Sequence, residues 1–223
     1  MENIIFIAPP AAGKGTQSVK IKDAYHLAHI STGDLLRAAA KENTPEGLSI
    51  RNLMETGGLV SDEMTEQLLL KRLAQPDCDN GYILDGFPRN TKQAADYQKV
   101  LEKLHKNVGV VIYLDLDKET ALKRIVGRES CANCGAMFNT MINSMKPKLD
   151  GICDKCGHAL SKRSDDNDAT FENRYDTYLK ETKPLIEYYD NLGVLERVDS
   201  SQNADKVFSD IKEILDRRNK WLI

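Results

Sequence analysis

The chain begins with a short apolar run that leads straight into a Gly-Lys pair, and few folds accommodate that order. Residues 4–17 read IIFIAPPAAGKGTQ. The run NIIFIA (3–8) is continuous and Ile-rich, as a strand buried on both faces requires. GKGTQSVKIKDAYHL follows with helical composition and apolar residues spaced for one face. Strand, turn and helix in this order frame a phosphate loop, where backbone N–H groups close around oxygens before the positive end of a helix. Lys14 would bridge the outer phosphates, and the Thr16 hydroxyl or its neighbourhood would serve the Mg2+ shell. The strict pattern asks for Gly, four residues, Gly, Lys, then Ser or Thr. Ala8 takes the first position and Gly15 the last. Taken alone, the stretch reads equally as a phosphate loop or as an ordinary strand-to-helix turn.

The remainder of the chain alternates. HIST (29–32) reads as a second strand leading into Gly33-Asp34 and the helix former LLRAAAKE. LSIRNLMETGG (48–58) reads as a helix stopped by a Gly-Gly pair. Ser61 caps the next helix, with Asp62 and Glu63 in its positive first turn. YILD (82–85), VGVVIYLDL (108–116) and VLERV (194–198) supply three more strands. Asp117 caps KETALKRIVG, and ADKVFSDIKEILDRR closes as an amphipathic helix. This pattern predicts an α/β fold: five parallel strands covered on both faces. With 223 residues and 41% hydrophobic content, one core with small inserted subdomains is within reach. Between about 128 and 163 the alternation fails, which marks an insertion.

That insertion holds four of the five cysteines, as Cys131-Ala-Asn-Cys134 and Cys153-Asp-Lys-Cys156 separated by eighteen residues. The spacing fits two knuckles around one tetrahedral ion, each followed by a glycine (Gly135, Gly157) that permits the tight turn. Four thiolates fill zinc's coordination and leave no position for water, so the expected role of the Zn2+ is structural. His158 adjoins the second knuckle without being needed as a ligand, and Cys78 reads as a bystander.

Arg124, Arg128, Arg163 and Arg174 lie within or beside the insertion. Singly, each reads as a surface ion pair. Clustered around an insertion, in a chain with a candidate phosphate loop, they read as forks for phosphate. Asp165 and Asp166 stand close enough to Arg163 to orient it or to cap the next helix. LDGFPRN (84–90) puts Asp85 at the carboxyl end of a strand, where parallel sheets bind ligands, with Arg89 beyond it. Charge is nearly balanced, 31 Lys and Arg against 34 Asp and Glu, which argues against a surface made for nucleic acid. The absence of an apolar run of bilayer length and of basic residues before the first strand leads us to expect a cytoplasmic protein.

Taken together, GKGTQ (13–17), STGDLLR (31–37), GGLVSDE (57–63), DGFPRN (85–90), Gly127-Arg128 before the knuckles, and RSDD followed by Arg174 resemble the adenylate kinases, specifically the long-lid bacterial type with a structural zinc. The match runs in order from the first strand to the final helix. The resemblance implies a P-loop nucleoside monophosphate kinase-like fold in three parts. These are a core at 1–30, 61–126 and 164–223, an NMP-binding helical subdomain at 31–60, and a zinc-binding lid at 127–163. It implies reversible, Mg2+-assisted phosphoryl transfer from ATP to AMP giving two ADP, in a monomer with no nucleic-acid or membrane partner.

By the same resemblance, ATP would be held by Ala11, Ala12, Gly13, Lys14, Gly15 and Thr16, by Arg124 and Arg128, and by Met137, Phe138 and Gln202 near the base. AMP would be held by Thr32, Arg37, Gly58, Leu59, Val60, Gly86, Phe87, Pro88, Arg89 and Gln93, with Arg163 and Arg174. Lys14, Arg89, Arg124, Arg128, Arg163, Arg174 and Asp85 would form the catalytic set, Asp85 ordering Mg2+ through water. The acceptor is already an anionic phosphate oxygen, so no general base is required.

Departures from the family are few. Ala8 and Ala11 stand where glycine is usual, Gly58 where lysine is frequent, and Ser200 where glycine is common. Positive φ at either alanine would cost about 1 kcal/mol, so both are expected at negative φ, with the phosphates cradled from Ala12 to Thr16. Two rivals remain. One is a kinase acting on UMP or CMP, or using GTP. The other is a zinc-ribbon nucleic-acid binder using Lys146, Lys148, Lys155 and Lys162. The second lacks an aromatic platform, Phe138 being the one ring in the knuckle segment.

Overall fold

The computed structural model describes residues 3–56, 60–103, 105–162 and 166–219. Strands β1 (Asn3–Ile7), β2 (Ala28–Ser31), β3 (Tyr82–Asp85), β4 (Val110–Asp115) and β8 (Leu195–Asp199) form one parallel sheet in the order β2-β3-β1-β4-β8. Its central strand β1 is buried at every position, as its unbroken apolar run requires. The alternation of a strand splits its side chains between two faces. Ile4, Phe6, Ile83, Val110, Ile112 and Leu114 pack with Ile21 of α1 (Lys14–Tyr25), Ile125 of α6 (Lys118–Val126) and Ile211 of α9 (Ala204–Asn219). Ile5, Ile7, Leu84, Val111 and Tyr113 pack on the other face with Tyr97 of α5 (Thr91–Lys103) and Tyr189 of α8 (Pro184–Asn191).

This split positions the site. Strands β1 and β3 are neighbours, yet the chain leaves β1 for α1 on one face and β3 for α5 on the other. Their diverging loops open a crevice at the carboxyl edge of the sheet, the standard ligand position in such folds. Register brings Phe6, Asp85 and Ser31 side by side there.

Between β2 and β3 lie α2 (Thr32–Ala39), α3 (Pro45–Glu55) and α4 (Asp62–Leu73). Each starts on a side-chain cap, Ser31, Thr44 and Ser61, the last as expected. Thr44 with Pro45 at the first helical position starts α3 three residues before the apolar pattern does. The Gly-Gly pair expected to stop it lies outside the described residues. Asp117 caps α6, accepting from Thr120 N at 2.8 Å. The insertion is a separate antiparallel sheet, β6-β5-β7, made of β5 (Arg128–Cys131), β6 (Met137–Asn139) and β7 (Leu160–Ser161). Helix α7 (Asp168–Thr177) then runs through a π turn, Tyr178–Thr182, into α8. The cap of α7 is Asn167, accepting from Thr170 N at 3.0 Å, and not Asp166. Asp165 lies outside the described residues and Asp166 is committed elsewhere.

Candidate active site and metal centre

Helices α2, α3, α4, α6 and α7 all close their N-termini with a side chain. Helix α1 does not: Gly13 sits at its cap with φ +90°, no side chain caps it, and its first turn holds no acid. Its leading N–H groups and its positive end are left facing the loop, which is the electrostatic requirement for anion binding. Lys14 stands at its first position.

The loop corrects one expectation. Ala8 is not in the positive-φ region, but Ala11 is, at φ +60°. The cause is local. Ala12 N donates to Pro9 O at 3.4 Å across a four-residue turn with Pro10 at its first corner. Proline suits that corner, and when the second corner takes positive φ the turn is type II. Here the second corner falls on Ala11. A left-handed alanine costs about 1 kcal/mol. The buried Ser200 hydroxyl donates to Ala12 O at 2.5 Å, and such a bond contributes about the same amount. Ser200 thus ties the loop in place from β8's far end. Sequence reasoning marked it only as a departure.

Asp85 lies across the crevice from Lys14. Burial works to raise its pKa, but His29, Lys14 and Arg89 outweigh burial and hold it below the ordinary carboxylate value. Withdrawal from water lowers the pKa of Lys14; Asp85 opposes this, and Arg89, Arg128 and Arg174 add to it. The five charged groups therefore share one electrostatic neighbourhood. His29 Nε2 lies 3.5 Å from Asp85 Oδ2, an electrostatic contact rather than a formed hydrogen bond. No sequence signal singled out His29.

Asp166, with 1% of its side chain exposed, takes both ends of the Arg128 guanidinium, Nε donating to Oδ2 at 2.7 Å. Arg174 Nη1 stands 3.8 Å from Asp166 Oδ1. One buried acid thus holds two of the expected phosphate arginines, a role that sequence reasoning had offered only toward Arg163. Arg163 lies outside the described residues.

On the other side, Thr32 Oγ1 donates to Gly86 O at 2.8 Å, and Arg89 Nε donates to the same oxygen at 2.9 Å. Thr182, in the π turn, donates to Arg89 O at 2.8 Å. Phe87 and Pro88 are buried, joined by a cis peptide. Gln93 is buried and bonded to Arg89 N. Arg37 donates to Asp34 at 2.5 Å, and its charge is felt at Arg89. Val60 packs with Leu36, Ala40 and Ile50. Gly58 and Leu59 lie outside the described residues.

Toward the insertion, Arg124 Nη2 donates to Ser201 O at 3.3 Å, beside Gln202, whose amide donates to Asp199 O at 3.2 Å. Met137 and Phe138 belong to β6, and Phe138 packs on the cysteine cluster. The buried Asn139 joins this sheet to α6, donating to Arg124 O at 2.8 Å and accepting from the N–H groups of Met141 and Ile142.

The four Sγ atoms of Cys131, Cys134, Cys153 and Cys156 lie within 4.8 Å of one another. Two pairs run between knuckles, Cys131–Cys156 at 3.4 Å and Cys134–Cys153 at 3.5 Å. These are too long for disulfides and close to the roughly 3.8 Å edge of a tetrahedron with 2.3 Å metal–sulfur bonds. Gly135 N and Gly157 N close each turn onto Cys131 O and Cys153 O at φ +70° and +73° respectively, a conformation that favours glycine. The thiol chemistry and the geometry fit one zinc ion. His158 instead approaches Cys156 O through Nδ1, at 3.1 Å.

A family model described as "Adenylate kinase" matches residues 6–194. A curated adenylate kinase of Geobacillus sp. (strain WCH70) is 43% identical over 213 residues, covering 96% of this chain and 98% of that protein. That of Syntrophobacter fumaroxidans is 45% identical over 213 residues, covering 96% and 99%. That of Bacillus licheniformis is 41% identical over 218 residues, covering 98% and 100%. With matches running nearly end to end over a fold that carries an open α1 terminus and a ring of cations, the chain belongs to the adenylate kinase family.

Proposed function

We propose that this protein transfers a phosphoryl group reversibly between ATP and AMP to give two ADP. The observation that carries the reading is the uncapped terminus of α1, where Asp85, Arg89, Arg128 and Arg174 all act on the charge of Lys14. A phosphoryl group in flight spreads charge over its oxygens and needs cations and positioning more than proton transfer. The backbone from Ala11 to Thr16 and Lys14 hold the donor phosphates. Arg124 and Arg128, with Met137, Phe138 and Gln202, complete the donor side. Thr32, Arg37, Gly58 to Val60, Gly86 to Arg89 and Gln93 receive AMP. Arg163 and Arg174 bracket the transferring group.

Thr16 and, through water, Asp85 would hold the Mg2+ that accompanies ATP, and the ion would neutralise charge on the outer phosphates. Zinc on the four cysteines is structural. In this reading the three parts are the core (1–30, 61–126, 164–223), the AMP-side helices (31–60) and the lid (127–163). Closure of the last two excludes water, which otherwise competes as acceptor.

The test is ADP formation from ATP plus AMP with Mg2+. Lys14→Ala should lower kcat/KM at least about a hundredfold, the scale of one lost charge-stabilising group. Turnover of UMP or CMP far above AMP would overturn the substrate assignment. An unaffected Lys14→Ala enzyme would overturn the site.

A further inference from the structure

An amide side chain can offer a base edge either of two patterns, because its oxygen and nitrogen exchange places by a half-turn. In this protein the Gln93 amide has lost that freedom. Its Oε1 accepts from Arg89 N at 2.7 Å, and its Nε2 donates to Asp62 Oδ1 at 2.6 Å. A backbone N–H only donates and an ionised carboxylate only accepts. Turning the amide over would oppose donor to donor at Arg89 and acceptor to acceptor at Asp62. Both partners therefore dictate a single orientation.

The anchor is itself held. Asp62 opens α4 beside its cap Ser61, where the helix's positive end favours an anion. Asn90 Nδ2 donates to the same Asp62 oxygen at 3.2 Å, while Asn90 Oδ1 accepts from Gln93 N at 2.8 Å. Lys92 Nζ stands 3.4 Å from Asp62 Oδ2. Once these contacts are made, Gln93 keeps one hydrogen on Nε2 and one lone pair on Oε1.

We infer that Asp62 is a specificity-determining residue: it fixes the Gln93 amide in one orientation and so restricts which base edge the acceptor nucleotide can present. The inference rests on the reading that Gln93 meets the acceptor base. A fixed amide accepts an edge with one donor and one acceptor in a set order, as adenine offers at its amino group and N1. It rejects the reversed order of hypoxanthine, where the amino group becomes a carbonyl and N1 carries hydrogen. Sites with immobile polar partners discriminate in this way because the wrong ligand leaves them opposed or unpaired.

The experiment compares kcat/KM for AMP and for inosine monophosphate with ATP and Mg2+, in the parent, Asp62→Asn, Asp62→Glu and Gln93→Ala proteins. Asparagine can face either amide orientation, which leaves the Gln93 amide dictated from one side, by Arg89 N, instead of two. Asp62→Asn should therefore lower the AMP preference by up to about tenfold, with inosine monophosphate gaining and the KM for ATP unchanged. Asp62→Glu, still an acceptor alone, should keep the preference within about threefold. Melting temperature separates these effects from loss of the α4 first-turn charge. An Asp62→Asn enzyme that keeps the parent preference, or slows equally on both acceptors, overturns the inference. If Gln93→Ala also keeps the preference, the reading of the base site fails; if Gln93→Ala abolishes it while Asp62→Asn does not, only the role of Asp62 fails.

Discussion

The insertion from Arg128 to Ser161 buries Cys131, Ala136 and Cys153, whereas the helical excursion through α2 and α3 buries Leu36, Ala40, Ile50 and Val60. The helical excursion lies between β2 and β3, the insertion between α6 and α7. The helical excursion draws on ordinary apolar burial, roughly 1.5–3 kcal/mol for each large aliphatic chain, and continues into Met64 and Leu68 of α4. The apolar cluster of the insertion fully buries three small side chains, two of them thiols, with Phe138 and Leu160 half-buried against them, little apolar burial to set against the entropy of ordering the segment. In the proposed reading, two excursions of one fold thus rely on different chemistry, one on methylenes and one on the metal–thiolate bonds that its four clustered cysteines could form.

The largest expected effect follows from taking that chemistry away. Cys153→Ser, or chelation of the metal, removes a binding term of about 10 kcal/mol or more. Amide hydrogen exchange across 128–162 should rise to near-unprotected rates while the parallel sheet keeps its protection. Protection that survives in the zinc-free insertion would show that it has an adequate core of its own.

Ile50→Ala probes the other excursion. Removing this buried side chain should cost about 2–5 kcal/mol, read as faster exchange in α2 and α3 with the insertion unaffected. Equal loosening of both would mean that they open as one cooperative unit. A smaller effect tests the root of the insertion. A methyl at Gly127 would stand 2.3 Å from Asn139 Oδ1 and 2.9 Å from Met141 Cγ. Gly127→Ala should therefore cost about 1–3 kcal/mol, seen as faster exchange in β5 and β6. No change would show that the Asn139 clamp gives way easily.

Much of this molecule was legible in the residues. The five strands, the inserted segment, the caps Ser61 and Asp117 and the paired knuckles all follow from period, composition and spacing. Such signals are local, so a linear reading finds them. What escaped it was long-range. Asp166 gripping Arg128, Thr182 holding Arg89, His29 beside Asp85 and Asp62 beside Gln93 each join residues far apart in the chain. None carries a spacing by which it could be recognised.

The loop between β1 and α1 shows the division most sharply. Its order of strand, turn, lysine and helix was set by sequence alone, because buried apolar runs and a Gly-Lys turn have few alternatives. The backbone of Ala11 was decided by the turn around Pro10 and by what surrounds it. An alanine's intrinsic preference is worth about 1 kcal/mol, and one buried hydrogen bond from Ser200 is of that size. A preference that small yields to tertiary contacts, whereas the burial of a whole sheet does not.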